Sequence, residues 1–389
     1  MAVQAWLGPL VHEKHTESMA KKKNASAKGS SHATADGSKT PAQRQIDKLD
    51  REILASINRR AELAVSRAVA DGATPLGLQA ALEHATAIAA TTKGPLSADA
   101  IRSVFREIIS GTQAAVKAPT VAYLGPEFTY SHLAAIERFG QSAVLVPVAT
   151  IAAVFEEVER GQANFGLVPI ENSTDGRVAD ALECLARSPV KICGEVPLRI
   201  RHCLLANCSR NEIKQIYSKR QPFSQCRNWL SQHLADVPLI EVASSAEAAR
   251  KAADEQGSAA IASEQAGVNH VVAVLVRGIE DNADNVTRFA VIGQESGLKT
   301  GNDKTSLVFE IDHQPGALAD AMGIFKKQRL NMTWIESFPL PGQRGRYVFF
   351  VEFQGHATEL RARKALAALE KRAVRLTVLG SYAQAEPIG

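Results

Sequence analysis

Residues 163–176 read ANFGLVPIENSTDG and run from an apolar stretch directly into a polar turn. A short apolar run bounded by turn residues is typical of a buried strand, here ANFGLVPI at 163–170. Four consecutive side chains that can form hydrogen bonds follow it: Glu171, Asn172, Ser173 and Thr174. The turn at Asp175-Gly176 needs fewer polar side chains than this. Because ligands of α/β proteins bind at the carboxyl ends of strands, the stretch predicts a buried sheet with a site at its edge.

Strand and helix patterns alternate on both sides of this stretch, between about residues 120 and 293. Helices are predicted at 149–160 and 245–256. The other runs with strand composition are APTVAYLGP, SAVLVPVA, ICGEVPL, HCLLANC, EIKQIYS, LIEVASS, SAAIAS and TRFAVIG. Such alternation predicts an α/β fold with a mostly parallel sheet flanked by helices.

Two further segments place polar side chains beside predicted strands and helices. LGPEFTYSHLAA holds Thr129 and Ser131 at a helix start, where backbone N–H groups form an anion site or a hydroxyl simply caps the helix. IYSKRQPFSQC holds Ser218 and Gln225 on either side of a bend at Pro222. Each segment is a candidate part of the site, although either alone is compatible with ordinary loop structure.

The stretch DNVTRFAVIG, residues 284–293, leads from an Asn/Asp-rich loop into an apolar run. It places a hydroxyl and a guanidinium, Thr287 and Arg288, at the start of a predicted strand. A buried polar group has to find a partner or serve a ligand. The pair is therefore a candidate for the same site, although an ordinary loop-to-strand junction would also accommodate it.

The first 117 residues change pattern sharply near residue 42. Residues 1–41 are rich in Ser, Ala, Lys and Gly without periodicity, which predicts a disordered tail. From Gln43 onward apolar residues recur at helical spacing. Three helices are predicted, the second across 76–92 and the third after an N-cap at Ser97. Because three helices form a thin core, this all-α domain at 42–117 is expected to dock onto a second copy.

A third pattern occupies residues 303–383, which read β-α-β-β-α-β. This order predicts a small four-stranded antiparallel sheet with helices on one face, a module that binds small ligands or pairs edge to edge. A chain of 389 residues exceeds what one hydrophobic core organises, so a multidomain protein is expected.

The composition excludes several classes of protein. Apolar residues make up 45% and charged residues 22%, as in ordinary globular chains. The net charge of +4 comes partly from a lysine-rich stretch at residues 21–23, so neither nucleic acid nor a membrane is an expected partner. AWLGPLV near the start is too short for a secretion signal. Five cysteines without a C-x-x-C pair predict reduced thiols, a cytoplasmic location and no metal site.

Four segments together resemble a known family. In order and spacing, GPEFTYSHLAA, FGLVPIENSTDG, IYSKRQPFSQC and NVTRFAVIG resemble the signatures of prephenate dehydratase. TSLVFEIDHQPGALADAMGIF and NMTWIESFP look like its ACT regulatory module, and QRQIDKLDREILASINRRAELAVSRAV resembles the chorismate mutase domain often fused ahead of it. The resemblance implies a P-protein arrangement: a mutase-like helical domain at 42–117, a two-lobed α/β domain like the periplasmic binding proteins at 119–296, and a ferredoxin-like ACT domain at 303–383.

The resemblance implies decarboxylation and dehydration of prephenate to phenylpyruvate in phenylalanine biosynthesis, without metal or cofactor. Thr287 is then the residue that protonates or hydrogen-bonds the departing hydroxyl. Arg288 either pairs with a substrate carboxylate or anchors the junction. The other catalytic positions implied are Glu171, Asn172, Ser173 and Thr174. The positions implied to bind the substrate are Thr129, Ser131, Ser218, Gln225 and Phe289.

The resemblance also implies that phenylalanine acts as an effector at the ACT module. The positions that match this sensing site are Pro315, Gly316, Ala317, Leu318, Glu336 and Ser337. Phe338 departs from the family pattern, which usually has arginine there. Because helical and ACT modules both tend to self-associate, a homodimer or homotetramer is expected.

The mutase-like segment keeps few of the cationic positions that the family uses around a dicarboxylate substrate. Arg60 matches, Arg44 lies one residue off, Asp71 stands at a lysine position, and Thr112 stands at a serine position. We therefore expect a degenerate, dimer-forming domain, with a divergent active mutase as the alternative. Two alternatives remain for the whole chain: an arogenate dehydratase and a non-catalytic amino-acid sensor.

Overall fold

The computed structural model describes residues 39–71, 81, 84–85, 87–91, 93–339 and 347–388. Residues 1–38 of the tail predicted at 1–41 and most of the helix predicted at 76–92 therefore lie outside the described residues. The chain divides into two units, Met1–Ser56 and Ile57–Gly389. The described residues of the first unit belong almost entirely to the beginning of one helix.

Two long helices precede the first strand. Helix α1 covers Pro41–Asp71 and carries the predicted periodic apolar residues. Several of these are exposed: Ile46, Leu49, Ile53, Leu54 and Leu63. Helix α2 covers Ala98–Lys117, and the predicted cap is confirmed, because Ser97 Oγ accepts a hydrogen bond from the backbone N–H of Ala100 at 3.2 Å. Across the described residues, no helix combines the length and apolar character of a membrane span.

The first sheet combines strands from both ends of the α/β region. Its strands are β1 Thr120–Leu124, β2 Val144–Val148, β3 Phe165–Asn172, β4 Gly176–Arg177, β5 Lys191–Arg199 and β11 Val286–Gly293. They are ordered β2-β1-β3-β11-β5, with β4 paired to the end of β3. The helices of this part are α3 Tyr130–Phe139, α4 Ile151–Glu159 and α5 Ala179–Arg187. We call this sheet with its helices the first lobe.

The second sheet is built from the chain between β5 and β11, which we call the second lobe. Its strands are β6 Cys203–Ala206, β7 Gln215–Ser218, β8 Leu239–Glu241, β9 Ser258–Ala262 and β10 Val274–Arg277. They are ordered β10-β6-β9-β7-β8. Its α-helices are α6 Arg220–Gln225, α7 Arg227–His233, α8 Ser245–Asp254 and α9 Glu264–His270.

The expectation of a mostly parallel sheet is wrong, because both sheets are mixed. In the first lobe β1 is parallel to β2 and β3, whereas β11 is antiparallel to β3 and β5. In the second lobe β7 is parallel to β8 and β9, whereas β6 is antiparallel to β9 and β10. The chain leaves the first lobe through β5 and re-enters it beside β5, so the returning strand β11 runs in the opposite direction. The sequence patterns also missed β4 and β10.

The C-terminal sheet has the predicted β-α-β-β-α-β order. Its strands are β12 Asp303–Glu310, β13 Met332–Pro339, β14 Tyr347–Gln354 and β15 Arg375–Ala383. Its helices are α10 Ala317–Lys327 and α11 Leu360–Glu370. The strands are ordered β13-β14-β12-β15 and all neighbours are antiparallel, which confirms the prediction.

The two faces of the C-terminal sheet have different neighbours. One face, which includes Phe353, packs against α10 and α11. The other face, which includes Phe350, shares a hydrophobic core with Ile292 of β11. Strands β5 and β15 approach so closely that a Cβ atom on Gly380 would lie 2.0 Å from the carbonyl oxygen of Ile192, so glycine is required there. The first lobe and the C-terminal sheet are therefore packed together along one continuous core.

Candidate active site

The polar segments at the end of β3 and the start of β11 are neighbours in the first sheet. Thr287 lies opposite Asn172, and Arg288 lies opposite Glu171. Thr287 and Asn172 are 115 residues apart in sequence. Because adjacent residues of a strand point to opposite faces of the sheet, Thr287 and Arg288 have two different environments.

Thr287 lies in a group of uncharged amides. The Nδ2 atom of Asn172 donates one hydrogen bond to Thr287 Oγ1 at 2.8 Å and one to Asn285 Oδ1 at 2.9 Å. Asn172 is 5% exposed and Asn285 is 1% exposed. The hydroxyl at the edge of the sheet is thus held by a buried side chain from the neighbouring strand.

The backbone fixes the orientation of the Asn172 amide. Its Oδ1 atom accepts hydrogen bonds from the backbone N–H groups of Thr174 and Asp175, each at 3.0 Å. Since a backbone N–H can only donate, the NH₂ group of Asn172 must face Thr287, whose oxygen is the acceptor. The hydroxyl hydrogen of Thr287 is then available to donate to another group.

Asn285 was not among the predicted site residues. Among the described residues, its Nδ2 atom is buried and has no hydrogen-bond partner. An amide donor left unpaired inside a protein costs free energy, so such a group is a candidate contact for a ligand. The segment NVTRFAVIG begins with this residue, so the motif contained the signal, but nothing in the sequence indicated that the amide would be buried beside Thr287.

The β3–β4 turn is tied to the segment before β11 by Ser173. The Ser173 hydroxyl donates to the carbonyl oxygen of Asp284 at 3.3 Å and accepts from the backbone N–H of Val286 at 2.9 Å. Ser173 and its neighbour Thr174 are both exposed. Ser173 therefore holds the turn and the start of β11 in register, and Thr174 lies at the surface beside the Asn172 amide.

The second lobe reaches the same turn through α6. The Nε2 atom of Gln225 donates to Asp175 Oδ2 at 2.7 Å, and Gln221 donates to the same oxygen. Gln225 was a predicted site residue, whereas Asp175 and Gln221 were not. Asp175 lies inside the motif that the sequence singled out, but its partners come from residues about 50 positions away. One carboxylate thus connects the two lobes next to Asn172.

A buried histidine extends this connection. His202 Nε2 lies 2.8 Å from Gln225 Oε1, and its Nδ1 lies 3.2 Å from the hydroxyl of Tyr130. Because the NH₂ group of Gln225 faces Asp175, Oε1 accepts and His202 donates from Nε2. Burial lowers the pKa of His202, which favours the neutral ring. Burial also raises the pKa of Tyr130. Neither residue was predicted to belong to the site.

Arg288 lies on the other face of the sheet, among acidic side chains. It donates to Glu171 Oε2 at 2.8 Å, to Glu195 Oε2 at 3.1 Å, and to the two Glu352 oxygens at 2.8 and 2.9 Å. Its guanidinium also lies 5.2 Å from the ring centre of Trp334. Burial lowers the pKa of Arg288, but the carboxylates of Glu352 and Glu195 raise it more, so it stays above its ordinary value.

The environment of Arg288 matches the anchoring interpretation. Both terminal nitrogens of the guanidinium are used by protein carboxylates. Lys304 adds a second cation, 2.9 Å from Glu195 Oε1. The cluster therefore has two cations and three carboxylates. The third guanidinium nitrogen, Nε, is buried and has no hydrogen-bond partner among the described residues.

Several predicted positions lie outside the hydrogen-bonded group around Thr287. Ser218 is buried and its hydroxyl donates to a carbonyl of β9 at 2.8 Å, so it is used inside its own lobe. Phe289 is 2% exposed and packs in the core of the first lobe, because it is the inward residue of β11. Thr129 caps α3 by accepting from the backbone N–H of His132 at 3.4 Å, as the capping alternative described. Ser131 is buried in the first turn of that helix.

The predicted effector positions lie at two places on the C-terminal module. Pro315 and Gly316 form an exposed turn before α10, and Gly316 has a φ of +85° that favours glycine. Ala317 begins the helix, and Leu318 is exposed. The remaining two, Glu336 and Ser337, lie on β13, where Glu336 pairs with Arg177 at 2.8 Å.

The mutase-like positions show one contact. Arg60 Nη1 lies 3.5 Å from Thr112 Oγ1, and that hydroxyl also donates to the carbonyl oxygen of Ile108 at 2.7 Å. Arg44 belongs to the first unit and is exposed. In the part of the chain that the structure describes, no group of three or more His, Cys, Asp or Glu side chains is arranged to hold a metal ion.

Comparison with known proteins identifies the family. Residues 121–297 match the family model described as Prephenate dehydratase. A bifunctional chorismate mutase/prephenate dehydratase of Aquifex aeolicus (strain VF5) is 39% identical over 351 residues, which cover 88% of this chain and 97% of that protein. The chain belongs to the prephenate dehydratase family. It is therefore an enzyme of phenylalanine biosynthesis that converts prephenate to phenylpyruvate.

Two other prephenate dehydratase relatives bear on specificity and regulation. Arogenate dehydratase/prephenate dehydratase 2 of Arabidopsis thaliana is 36% identical over 279 residues, which cover 67% of this chain and 72% of that protein. A prephenate dehydratase from Arthrobacter aurescens, crystallised in complex with L-Phe, is 31% identical with a TM-score of 0.64. That match covers 68% of this chain and 90% of the crystallised one.

Proposed function

We propose that Thr287 assists the departure of the ring hydroxyl of prephenate and that Asn172 orients it for this role. The observation that supports this most directly is the 2.8 Å hydrogen bond from Asn172 Nδ2 to Thr287 Oγ1. Because the oxygen already accepts, its hydrogen points to whatever binds at the edge of the sheet. Thr287 is thus a preoriented donor.

The reaction breaks two bonds at opposite positions of the substrate ring. The bond to the ring carboxylate breaks and releases carbon dioxide, while its electron pair enters the ring. The bond to the ring oxygen then breaks, and that oxygen takes up a proton from solvent to leave as water. A threonine hydroxyl is a weak acid, so Thr287 orients and polarises the leaving group as this proton arrives. Aromatisation of the ring drives the step.

Asn285 supplies a second donor at the same place. Its buried amide lacks a partner among the described residues and lies in the same hydrogen-bonded group as Thr287, through Asn172. A bound substrate oxygen would satisfy this donor and remove the cost of leaving it unpaired. Ser173 and Thr174 on the β3–β4 turn, and Thr129 and Ser131 at the start of α3, are further proposed contacts of the substrate. Glu171 is proposed to act through its pair with Arg288.

The contacts of Asp175 with Gln221 and Gln225 give the second lobe a proposed role in closing the site. They join the lobes beside Thr287 and would narrow the access of solvent to the departing hydroxyl once substrate is bound. His202, as a neutral ring, supports Gln225 by donating a hydrogen bond to its Oε1 atom. Gln225 is thus proposed to hold the site closed.

Replacement of Thr287 tests the assignment. We expect Thr287→Ala to lower kcat for phenylpyruvate formation by about 10²- to 10³-fold, the usual loss for one preorganised donor. Thr287→Ser keeps the hydroxyl and should retain most of the activity. Urea unfolding of both variants should match the parent protein. Wild-type turnover by a folded Thr287→Ala protein would refute the role.

The domain arrangement of this enzyme is also a proposal. Two sheets connected through β5 and β11 support a two-lobed catalytic domain at 119–296, of the periplasmic-binding-protein type. The ferredoxin-like sheet at 303–383 supports an ACT module. Because an A. aurescens relative binds L-Phe, phenylalanine is the proposed effector, at Gly316, Leu318, Glu336 and their neighbours. Phe338 packs against the core shared with the first lobe, where family members usually carry arginine.

The helical region at 42–117 is proposed to be a chorismate mutase-like domain that has lost most of its cations. The A. aeolicus match supports this origin, because it covers more of the chain than residues 119–389. The same match favours an active mutase as a second candidate, which consumption of chorismate by the purified protein would establish. Exposed apolar residues of α1, such as Leu49 and Ile53, support docking onto a second copy in a homodimer or homotetramer.

Two finer properties complete the proposal. The A. thaliana relative supports arogenate as an alternative substrate, and turnover of both compounds by one preparation separates them. All five cysteines are free thiols, which supports the cytoplasmic location inferred from the sequence.

A further inference from the structure

The C-terminal sheet is linked to both strands of the β3–β4 hairpin that carries Asn172, directly on β4 and through Arg288 of β11 on β3. On β3, Glu171 pairs with Arg288, which pairs in turn with Glu352 of β14. On β4, Arg177 pairs with Glu336 of β13 at 2.8 Å. Glu171 and Arg177 are partners in the hairpin register. The two contacts therefore act on opposite strands of one hairpin.

The inner contact is buried and well supported. Glu352 is 0% exposed, and it accepts hydrogen bonds from Tyr382 at 2.8 Å and from Ser306 at 3.2 Å. Burial and the Glu352 carboxylate raise the pKa of Tyr382 well above its ordinary value, which keeps this hydroxyl a donor. Trp334 of β13 packs against the guanidinium of Arg288. Three strands of the C-terminal sheet thus hold a carboxylate that fixes Arg288, and Arg288 fixes Glu171.

The outer contact lies closer to solvent. The side chains of Arg177 and Glu336 are 43% and 25% exposed, and Arg177 also lies 3.5 Å from the carbonyl oxygen of Ser337. Exposed ion pairs contribute little to folding stability, about fivefold or less in an equilibrium constant. Their value here is geometric, because β4 has only two residues and the pair ties its last residue to β13.

We propose that Glu352 and Glu336 are positioning residues for the dehydratase reaction. They hold the β3–β4 hairpin where the Asn172 amide reaches Thr287. The inference rests on the role proposed for Thr287 and Asn172. It gives the C-terminal sheet a direct physical connection to the site, because β13 carries both Glu336 and the adjacent proposed effector position Ser337.

Small shifts of the hairpin should affect turnover more than substrate binding. Asn172 donates to Thr287 at 2.8 Å, and a displacement of about 1 Å breaks such a hydrogen bond. Misplacement of a catalytic group by this distance costs up to about 100-fold in rate. A weakened hold on the hairpin therefore lowers kcat, whereas KM and the unfolding midpoint change little.

Reversal of the outer ion pair tests the proposal. We expect Arg177→Glu and Glu336→Arg each to lower kcat by about five- to tenfold, through loss of the pair and new like-charge repulsion. The double variant restores the pair in reverse and should return kcat to within about twofold of the parent. The matched control is Arg372 with Asp320, a 2.9 Å exposed pair within the C-terminal module that does not touch the hairpin. Its reversal should leave kcat unchanged.

The buried contact is tested by Glu352→Gln. This change removes one of three carboxylates beside two cations, so the charge of the cluster becomes balanced. We expect a folded protein with kcat lowered about tenfold and KM within about threefold of the parent. If this variant does not fold, the single and double reversals of the Arg177–Glu336 pair alone test the proposal.

Three results would overturn the proposal: parental kcat in both single reversals, failure of the double reversal to recover, or parental kcat in a folded Glu352→Gln protein. These outcomes are independent of the proposed site. A Thr287→Ala protein that loses turnover while the reversals have no effect keeps the site and removes the positioning role. A fully active Thr287→Ala protein removes the site itself.

Discussion

Thr287 and Arg288 are adjacent in the chain, yet their surroundings have opposite character. Thr287 lies among uncharged amides, with its own hydrogen and the Nδ2 of Asn285 left to donate. Arg288 lies among three carboxylates that occupy both of its terminal nitrogens. We therefore propose that one residue of the signature contacts the substrate and that the next anchors the fold. Membership of a motif does not imply a shared role.

The physical basis of the difference is the alternation of side chains along β11. At this edge, one face of the sheet lies toward the second lobe, where Gln225 donates a hydrogen bond to Asp175. The other face is covered by the C-terminal sheet, which buries Glu352 and Glu195. Charges buried in this way need partners, and Arg288 supplies one for all three carboxylates.

The largest expected effect is on stability and comes from removal of the Arg288 guanidinium. Arg288→Ala should lower the free energy of unfolding by about 3–5 kcal/mol, because it leaves buried carboxylates uncompensated. Urea unfolding followed by circular dichroism measures this. The control is Arg277→Ala, whose pair with Glu264 is 65% and 50% exposed, so that its loss should leave the urea midpoint close to that of the parent. Equal losses in the two variants would contradict the anchoring role.

A smaller effect, seen in activity, should follow from loss of the amide beside Thr287. Asn172→Ala should lower kcat about 10- to 100-fold, because the Thr287 hydroxyl is no longer oriented. It should also cost about 1–3 kcal/mol of stability, since the backbone N–H groups of Thr174 and Asp175 lose their acceptor. Asn285→Ala keeps the bond from Asn172 to Thr287 and should keep more of kcat. Steady-state kinetics of both variants checks this, and greater damage from Asn285→Ala would reverse the assignment.

The smallest effect concerns pH. Burial lowers the pKa of His202 in the folded protein, below the ordinary value of about 6.5 that applies when the chain is unfolded. As the pH falls below about 6.5, the unfolded chain binds a proton that the folded protein does not, so stability decreases, by at most about 1.4 kcal/mol per pH unit. Urea midpoints between about pH 7.5 and 5.5 should therefore fall less for His202→Gln than for the parent. Parallel curves would show that His202 does not contribute.

The sequence by itself determined the local elements and the motifs that carry the proposed site. Periodic apolar residues predicted α4 and α8 within two residues of their ends, and Ser97 was recognised as a cap. The β-α-β-β-α-β order at the C-terminus was also correct. These features depend on residues close together in the chain, where spacing and hydrogen-bonding capacity act directly. Thr287 and Asn172 were singled out because they are polar residues at strand ends and because their motifs resemble those of prephenate dehydratase.

Only the tertiary structure decided the direction of β11 and the partners of each polar side chain. Glu352 and Arg288 are 64 residues apart, and Glu336 and Arg177 are 159 apart. Strand direction depends on where the chain re-enters a sheet, and burial of Asn285 or His202 depends on which segments cover it. Such contacts arise from the packing of whole lobes, and no local pattern encodes them. The different surroundings of Thr287 and Arg288 were therefore visible only in the tertiary structure.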